Sequence, residues 1–231
     1  TCTFVYFNNP YHGLMTEQMQ LNDGTFMAVA ETSIGRREKR KQEIKGRIEC
    51  AAYELFERQG IEETSIEQIC VKADVARRTF YGHFPNKHAL MGGMGINGMY
   101  SQSDPMLREL MRNHQTTRAR LQAMIDYIES NFAGYNELDR ELFLMAPLAF
   151  VHDKEEQQKI GMSAIDSFKQ LFVAGQAMGD VETQFSPEIL AVLVVGTLNT
   201  LTTSWAMNSS YPVFSALEEA RVVFDRLICP S

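Results

Sequence analysis

Apolar positions recur with a helical period along most of this chain. From Gln42 onward, Ile44, Ile48, Ala51, Ala52, Leu55 and Phe56 fall on one face, and Gly60 follows as a stop signal. Thr64-Ser-Ile-Glu67 reads as a capping box opening a short helix through Ala73, whose inner face is Ile66, Ile69 and Cys70. Asp74-Val75 makes a tight turn, a third short helix runs from Arg77 to about Phe84, and Pro85-Asn86 breaks it. Further helical periods are predicted at 87–112, 117–134, 137–151, 154–178, 187–207 and 213–229, the fifth of these opened by Ser186-Pro187-Glu188. No two-period strand and no internal repeat appears. The expected architecture is all-α, about nine helices: three in an N-terminal helix-turn-helix unit and six behind it.

Three segments follow from the pattern. Residues 1–35 hold turn signals and scattered aromatics without a period, and are expected to be poorly ordered, an extension upstream of a natural start near Met27. Residues 36–90 carry the helix-turn-helix pattern, and 91–231 carry the helical body.

Charge sharpens this division. The net charge is −7, which taken alone disfavours a polyanionic partner. Segment by segment, 1–35 carries −3, 36–90 carries +3 and 91–231 carries −7. Seven basic side chains crowd Arg36 to Arg47, with Arg36, Arg37, Lys39, Arg40 and Lys41 forming a basic N-terminal arm. A basic head on an acidic body fits a protein that touches a polyanion at one end; a solvated helix start fits the same charges.

Other chemistries find little support. The four cysteines (Cys2, Cys50, Cys70, Cys229) are scattered without a CxxC pair, which excludes a zinc ribbon or a disulfide framework and fits a reducing compartment. No GxSxG, HExxH, P-loop or dinucleotide glycine pattern occurs, so neither an enzyme nor a metal or cofactor site is expected. The longest apolar run, Ile189 to Leu198, is too short to span a bilayer, and no secretory signal is visible, so the expected location is the cytoplasm.

The stretches AAYELF (51–56), TSIEQI (64–69), RRTFYGHF (77–84) and PNKHAL (85–90) resemble the DNA-binding domain of the TetR/AcrR family of bacterial transcriptional regulators. The resemblance is close over about 45 residues and extends as a helix count over 36–231. It implies a ligand-responsive, sequence-specific regulator, a repressor by default, that binds a palindromic operator as a homodimer and is released by a small apolar effector. A nucleoid-associated or protein-partner DNA-binding factor of the same fold, without a small-molecule switch, stays open as the alternative.

In a helix-turn-helix the second short helix enters the major groove with its N-terminal residues on base edges. Here those are Arg77, Arg78 and Thr79, and an arginine bridging guanine O6 and N7 supplies roughly 1–3 kcal/mol of discrimination. The resemblance assigns phosphate contacts to Tyr81, Lys87 and Thr64, although Thr64 reads equally as a plain cap. His83 either touches the backbone or packs beneath it, and Phe80 and Phe84 are expected in the core. Departures from the family pattern are Asp74 at a turn-glycine position, Ala76 in place of a capping Ser or Thr, and Gly82 where a larger side chain is usual.

For 91–231 the resemblance implies a ligand cavity and a dimer seam formed by 187–207 and 213–229. Ten of the thirteen methionines and eight of the fourteen phenylalanines lie there, which suits an adaptable apolar pocket and suits an ordinary helical core as well. Candidate pocket residues are Tyr127, Phe143, Phe168, Asn199 and Trp205. Small residues Ala191, Gly196, Thr200 and Ser204 are candidates for close approach at the seam, and the polar run Asn199, Thr200, Thr202, Thr203 lines the pocket or faces the partner.

Overall fold

The computed structural model describes residues 33–100, 103–152 and 154–229, and among these it contains helices and no strand. The chain divides into two compact units between Lys87 and His88. Ten helices are described: α1 (Ser33–Gln59), α2 (Ile66–Ala73), α3 (Arg77–His83), α4 (Lys87–Tyr100), α5 (Ser103–Asn113), α6 (Thr117–Gly134), α7 (Glu137–His152), α8 (Lys154–Met178), α9 (Pro187–Met207) and α10 (Val213–Ile228). The single helix predicted over 87–112 is described as two, α4 and α5. The expectations for residues 1–32 lie outside the described residues.

In the N-terminal unit, α1 begins nine residues before the predicted Gln42, at Ser33. Its opening turns hold Arg, Lys, Glu and Gln, which are good helix formers but leave no apolar period to read. Ile48, Ala51, Ala52, Leu55 and Phe56 are buried on one face, as their spacing predicts. Gly60, at φ +86°, ends the helix in the left-handed conformation that glycine adopts at least cost.

The cap of α2 sits one residue beyond the predicted box. Ser65 accepts a hydrogen bond from the Gln68 amide, and the Gln68 side chain accepts one from the Ser65 amide. Thr64 is excluded from that role because it is buried and its hydroxyl donates to the Gly60 carbonyl at 2.7 Å. Asp74 closes α2 at φ +51°, ψ +55°, the left-handed turn for which glycine is usual. Ala76 opens α3 with no side-chain cap, and Phe80 and Phe84 anchor that helix from a buried position with ring centroids 5.9 Å apart.

The C-terminal unit is a helical body with one main core and a small satellite cluster of Ile96 and Ala146. That core includes Leu121, Met124 and Ile125 of α6, Phe168, Leu171 and Phe172 of α8, Leu190, Ala191, Val194 and Val195 of α9, and Leu217 and Phe224 of α10. Helix α4 lies so close to α7 that a Cβ on Gly95 would fall 2.1 Å from the Leu142 carbonyl oxygen, so only glycine fits. Polar clamps tie the helix ends together. Asp180 accepts from the Thr117 amide at 2.6 Å and its hydroxyl at 2.9 Å, and Arg118 of α6 pairs with Asp225 of α10 at 2.7 Å.

By length and composition helix α9 is apolar enough to cross a bilayer, the one such helix among the described residues, because neutral threonines, Ser204 and Trp205 extend the apolar run without a charge. It sits in the core through Leu190, Ala191, Val194, Val195, Trp205 and Ala206. The Thr197, Thr200 and Thr202 hydroxyls donate to carbonyls four residues back. Of the described cysteines, Cys70 and Cys229 are free and buried.

Candidate nucleic-acid interface

Helices α2 and α3, joined by the turn at Asp74–Ala76, form the surface on which the predicted residues converge. Arg77 and Arg78 are exposed in the first turn of α3, with Thr79 half-buried beside them and Phe80 turned into the core. Tyr81, one turn further, is exposed, and His83 is half-buried beside the Phe84 ring at 6.3 Å between centroids. Gly82 is exposed, with open space where a Cβ would stand.

Arg77 is already engaged. Its Nη2 lies 2.6 Å from Oε1 of Glu67 on α2, and Tyr81 stands one turn along its own helix. The Tyr81 phenol first and the Glu67 carboxylate second hold the guanidinium above its ordinary value, so it stays cationic. From the sequence Glu67 reads only as a capping residue, because the pair spans a turn and no helical spacing rule joins residues on different helices.

Two predicted phosphate contacts take other positions. Thr64 is 1% exposed and offers no surface to a phosphate, whereas its neighbour Ser65 is exposed at the start of α2. The sequence signal for Ser65 was present, since Ser65 and Gln68 satisfy the same capping pattern as Thr64 and Glu67. Lys87 is half-buried, and its ammonium donates to the Ile61 carbonyl at 2.6 Å and the Thr64 carbonyl at 3.1 Å. It braces the α1–α2 connection with two of its three donors and keeps one.

The basic cluster is a helix surface and not a free arm. Arg37, Lys39, Arg40 and Lys41 are exposed within α1; Arg36 lies in the same helix, with its side chain outside the described residues. Together with Arg77 and Arg78 they give the N-terminal unit its cationic surface. Among the described residues no group of three or more His, Cys, Asp or Glu side chains could hold a metal ion.

The five candidate pocket residues of the C-terminal unit do not converge on one cavity. Phe143 and Trp205 join Phe132 and Tyr135 in an edge-to-face aromatic cluster, with Arg140 stacked over the Trp205 ring at 4.0 Å. Phe168 belongs to the buried core and stacks on Phe172 at 6.5 Å. Asn199 is half-buried on α9, and Tyr127 is half-buried on α6. Burial pushes the Tyr100 and Tyr135 phenols upward, so both stay neutral donors at any physiological pH. An open groove of about 530 Å³ runs between α5 and α8, lined by Leu107, Arg108, Met111, Met162 and Gln170 among others, and none of the five candidates lines it.

A family profile described as "Bacterial regulatory proteins, tetR family" matches residues 50–94, which covers α2 and α3 whole. A curated relative, the "Probable acrEF/envCD operon repressor" of Escherichia coli K12, is 25% identical over 164 residues, spanning 66% of this chain and 71% of its own. Among solved structures, NalD, "the secondary repressor of MexAB-OprM multidrug efflux pump in Pseudomonas aeruginosa", aligns with a TM-score of 0.56 at 20% identity, over 83% of this chain and 99% of that one. The regulator FadR from Bacillus subtilis, solved with stearoyl-CoA, aligns at 0.56 and 17% identity, over 77% of this chain and 96% of its own. At these identities the likeness to the two solved structures is one of fold.

Proposed function

We propose that this chain is a bacterial regulatory protein of the tetR family that binds a palindromic DNA operator as a homodimer, represses transcription there and is released by a small apolar effector. It works in the cytoplasm, at the nucleoid when bound. The observation that carries this reading is the pair of exposed arginines in the first turn of α3, anchored from beneath by Phe80 and Phe84. Such a helix enters the major groove with those residues on base edges. Thr79 and Tyr81 flank them, Ser65 and the remaining Lys87 proton hold phosphates, His83 lies along the backbone, and the basic turns of α1 add charge beside the groove.

Dimerisation is supported by what α9 and α10 leave uncovered. Ile189, Val192, Gly196, Thr200, Thr203 and Met207 form an exposed stripe along α9, with Ile189, Val192 and Met207 at 59%, 51% and 73% exposure. Phe214, Val222, Val223 and Leu227 are exposed along α10. Apolar residues in register on two neighbouring helices form a patch of the kind that a second copy covers. Gly196 and Thr200 stand on the seam, whereas Ala191 is spent inside the core. Two-fold symmetry then sets two α3 helices in successive major grooves, about 34–36 Å apart or more.

The effector enters the C-terminal unit and releases DNA by favouring a dimer whose heads are wrongly spaced; contact with Phe143, Phe168 and Trp205, with Tyr127 and Asn199 as polar partners, requires these packed rings to part. One observation favours the second reading, a DNA-binding factor with no small-molecule switch: Phe143 and Trp205 are packed against neighbouring rings. Sedimentation and operator titration of the full chain test the dimer. Wild type sediments as a dimer and binds two chains per operator, while Val192→Glu with Leu227→Glu gives folded monomers that bind at least tenfold more weakly. A wild-type monomer at micromolar concentration with undiminished operator affinity contradicts the proposal.

A further inference from the structure

An acidic side chain on the DNA-facing surface of a DNA-binding unit repels every phosphate, so its presence calls for an explanation. Glu67 is such a side chain. It lies in the first turn of α2, its carboxylate is 52% exposed, and it pairs at 2.6 Å with Arg77, the first residue of α3, itself 61% exposed. A guanidinium presents five donors in a rigid planar fork. The contact from α2 orients that fork before DNA arrives and leaves its remaining donors for a partner.

We propose that Glu67 is a specificity-determining positioning residue: it holds the Arg77 guanidinium in the orientation that reads one base pair, and its charge penalises DNA that does not return that contact. The inference rests on the reading of α3 as the helix that enters the major groove. In a cognate complex the Arg77 base contact offsets the repulsion between Glu67 and the phosphates. On other DNA nothing offsets it, and the ion pair keeps Arg77 from settling on the nearest phosphate. Glu67 thereby lowers non-specific affinity more than specific affinity, and the ratio of the two is what selects an operator among many competing sites.

The test compares full-length wild type with Glu67→Gln, Arg77→Ala and the double variant, using selection from a random duplex pool followed by titration of the selected and a scrambled duplex at several salt concentrations. Wild type is expected to enrich one sequence, with Arg77→Ala losing preference at one base pair in each half-site. Glu67→Gln is expected to lose preference at that same base pair by on the order of tenfold, a size set by a two-bond arginine contact. Its affinity for scrambled duplex is expected to rise several-fold with a salt slope steeper by about 0.9, since the freed Arg77 adds one phosphate contact. Adding Glu67→Gln to Arg77→Ala then changes base preference no further. A role for Glu67 confined to the helix dipole lowers the melting temperature and leaves base preference alone, and that outcome overturns the proposal. An unchanged preference and unchanged scrambled-duplex affinity overturn it equally. If wild type enriches no sequence, the DNA-regulator reading itself fails, and this inference with it.

Discussion

Lys87 offers the sharpest separation of a structural role from a DNA-binding one. Its ammonium donates to the Ile61 carbonyl at 2.6 Å and to the Thr64 carbonyl at 3.1 Å, pinning the connection between α1 and α2. Lys87→Met keeps most of the side-chain length and removes both bonds. A hydrogen bond to a charged group contributes about 1.5–3 kcal/mol net when water cannot replace it. Water reaches half-exposed Ile61 and not buried Thr64, so one bond counts in full and the other is discounted, for a loss of about 2 kcal/mol. In a unit of this size each kcal/mol moves the midpoint by roughly 4–8 °C, so its transition falls by roughly 8–15 °C. Circular dichroism of the full chain during heating measures this. The salt dependence of operator binding reads the other role: losing a phosphate contact makes the slope shallower by about 0.9. A midpoint within about 2 °C of wild type refutes the bracing argument, whatever the slope does.

Asp180→Ala removes both bonds to Thr117 and strips the first turn of α6 of its acceptor; the C-terminal unit is expected to lose about 2–3 kcal/mol in urea unfolding, and a loss below about 0.5 kcal/mol contradicts the clamp. Ala76→Ser supplies the cap that α3 lacks, and the N-terminal unit is expected to gain about 1 kcal/mol, read as a higher urea midpoint at constant slope. Burial pushes the Cys229 thiol up to about 11, so the folded protein holds its proton where the unfolded chain releases it. Stability contributed by this group is therefore full below the ordinary thiol range and lost as pH rises toward about 11; Cys229→Ala is expected to flatten the fall in stability between about pH 9 and 11, measured by urea titration.

The helix-turn-helix unit was legible because its signals are local and redundant. The face from Ile48 to Phe56 repeats with a helical period, Gly60 stops it, and Pro85-Asn86 separates the short α3 from α4. The opening of α1 was not legible, since a run of charged helix formers shows no apolar face, and the basic residues Arg36 to Lys41 lie within the helix. The α2 cap missed by one residue because Thr64 and Ser65 each stand three residues before a Glu or Gln. The tie was broken by the Thr64 hydroxyl turning to the Gly60 carbonyl, a tertiary detail. The Glu67–Arg77 pair joins side chains on separate helices, which periodicity cannot see. Aromatic content pointed to the C-terminal unit without saying whether Phe143 and Trp205 line a space or fill one, because composition counts side chains and does not locate the gaps between them.

The central claim is that α3 reads a specific operator. Selection from a random duplex pool with the full chain at moderate salt, beside an Arg77→Ala, Tyr81→Ala double variant that keeps the wild-type melting temperature, tests it most directly. The account predicts that wild type enriches one short inverted repeat and that the double variant loses it while remaining folded. Enrichment of no sequence by wild type, or the same repeat enriched equally by the double variant, contradicts the account.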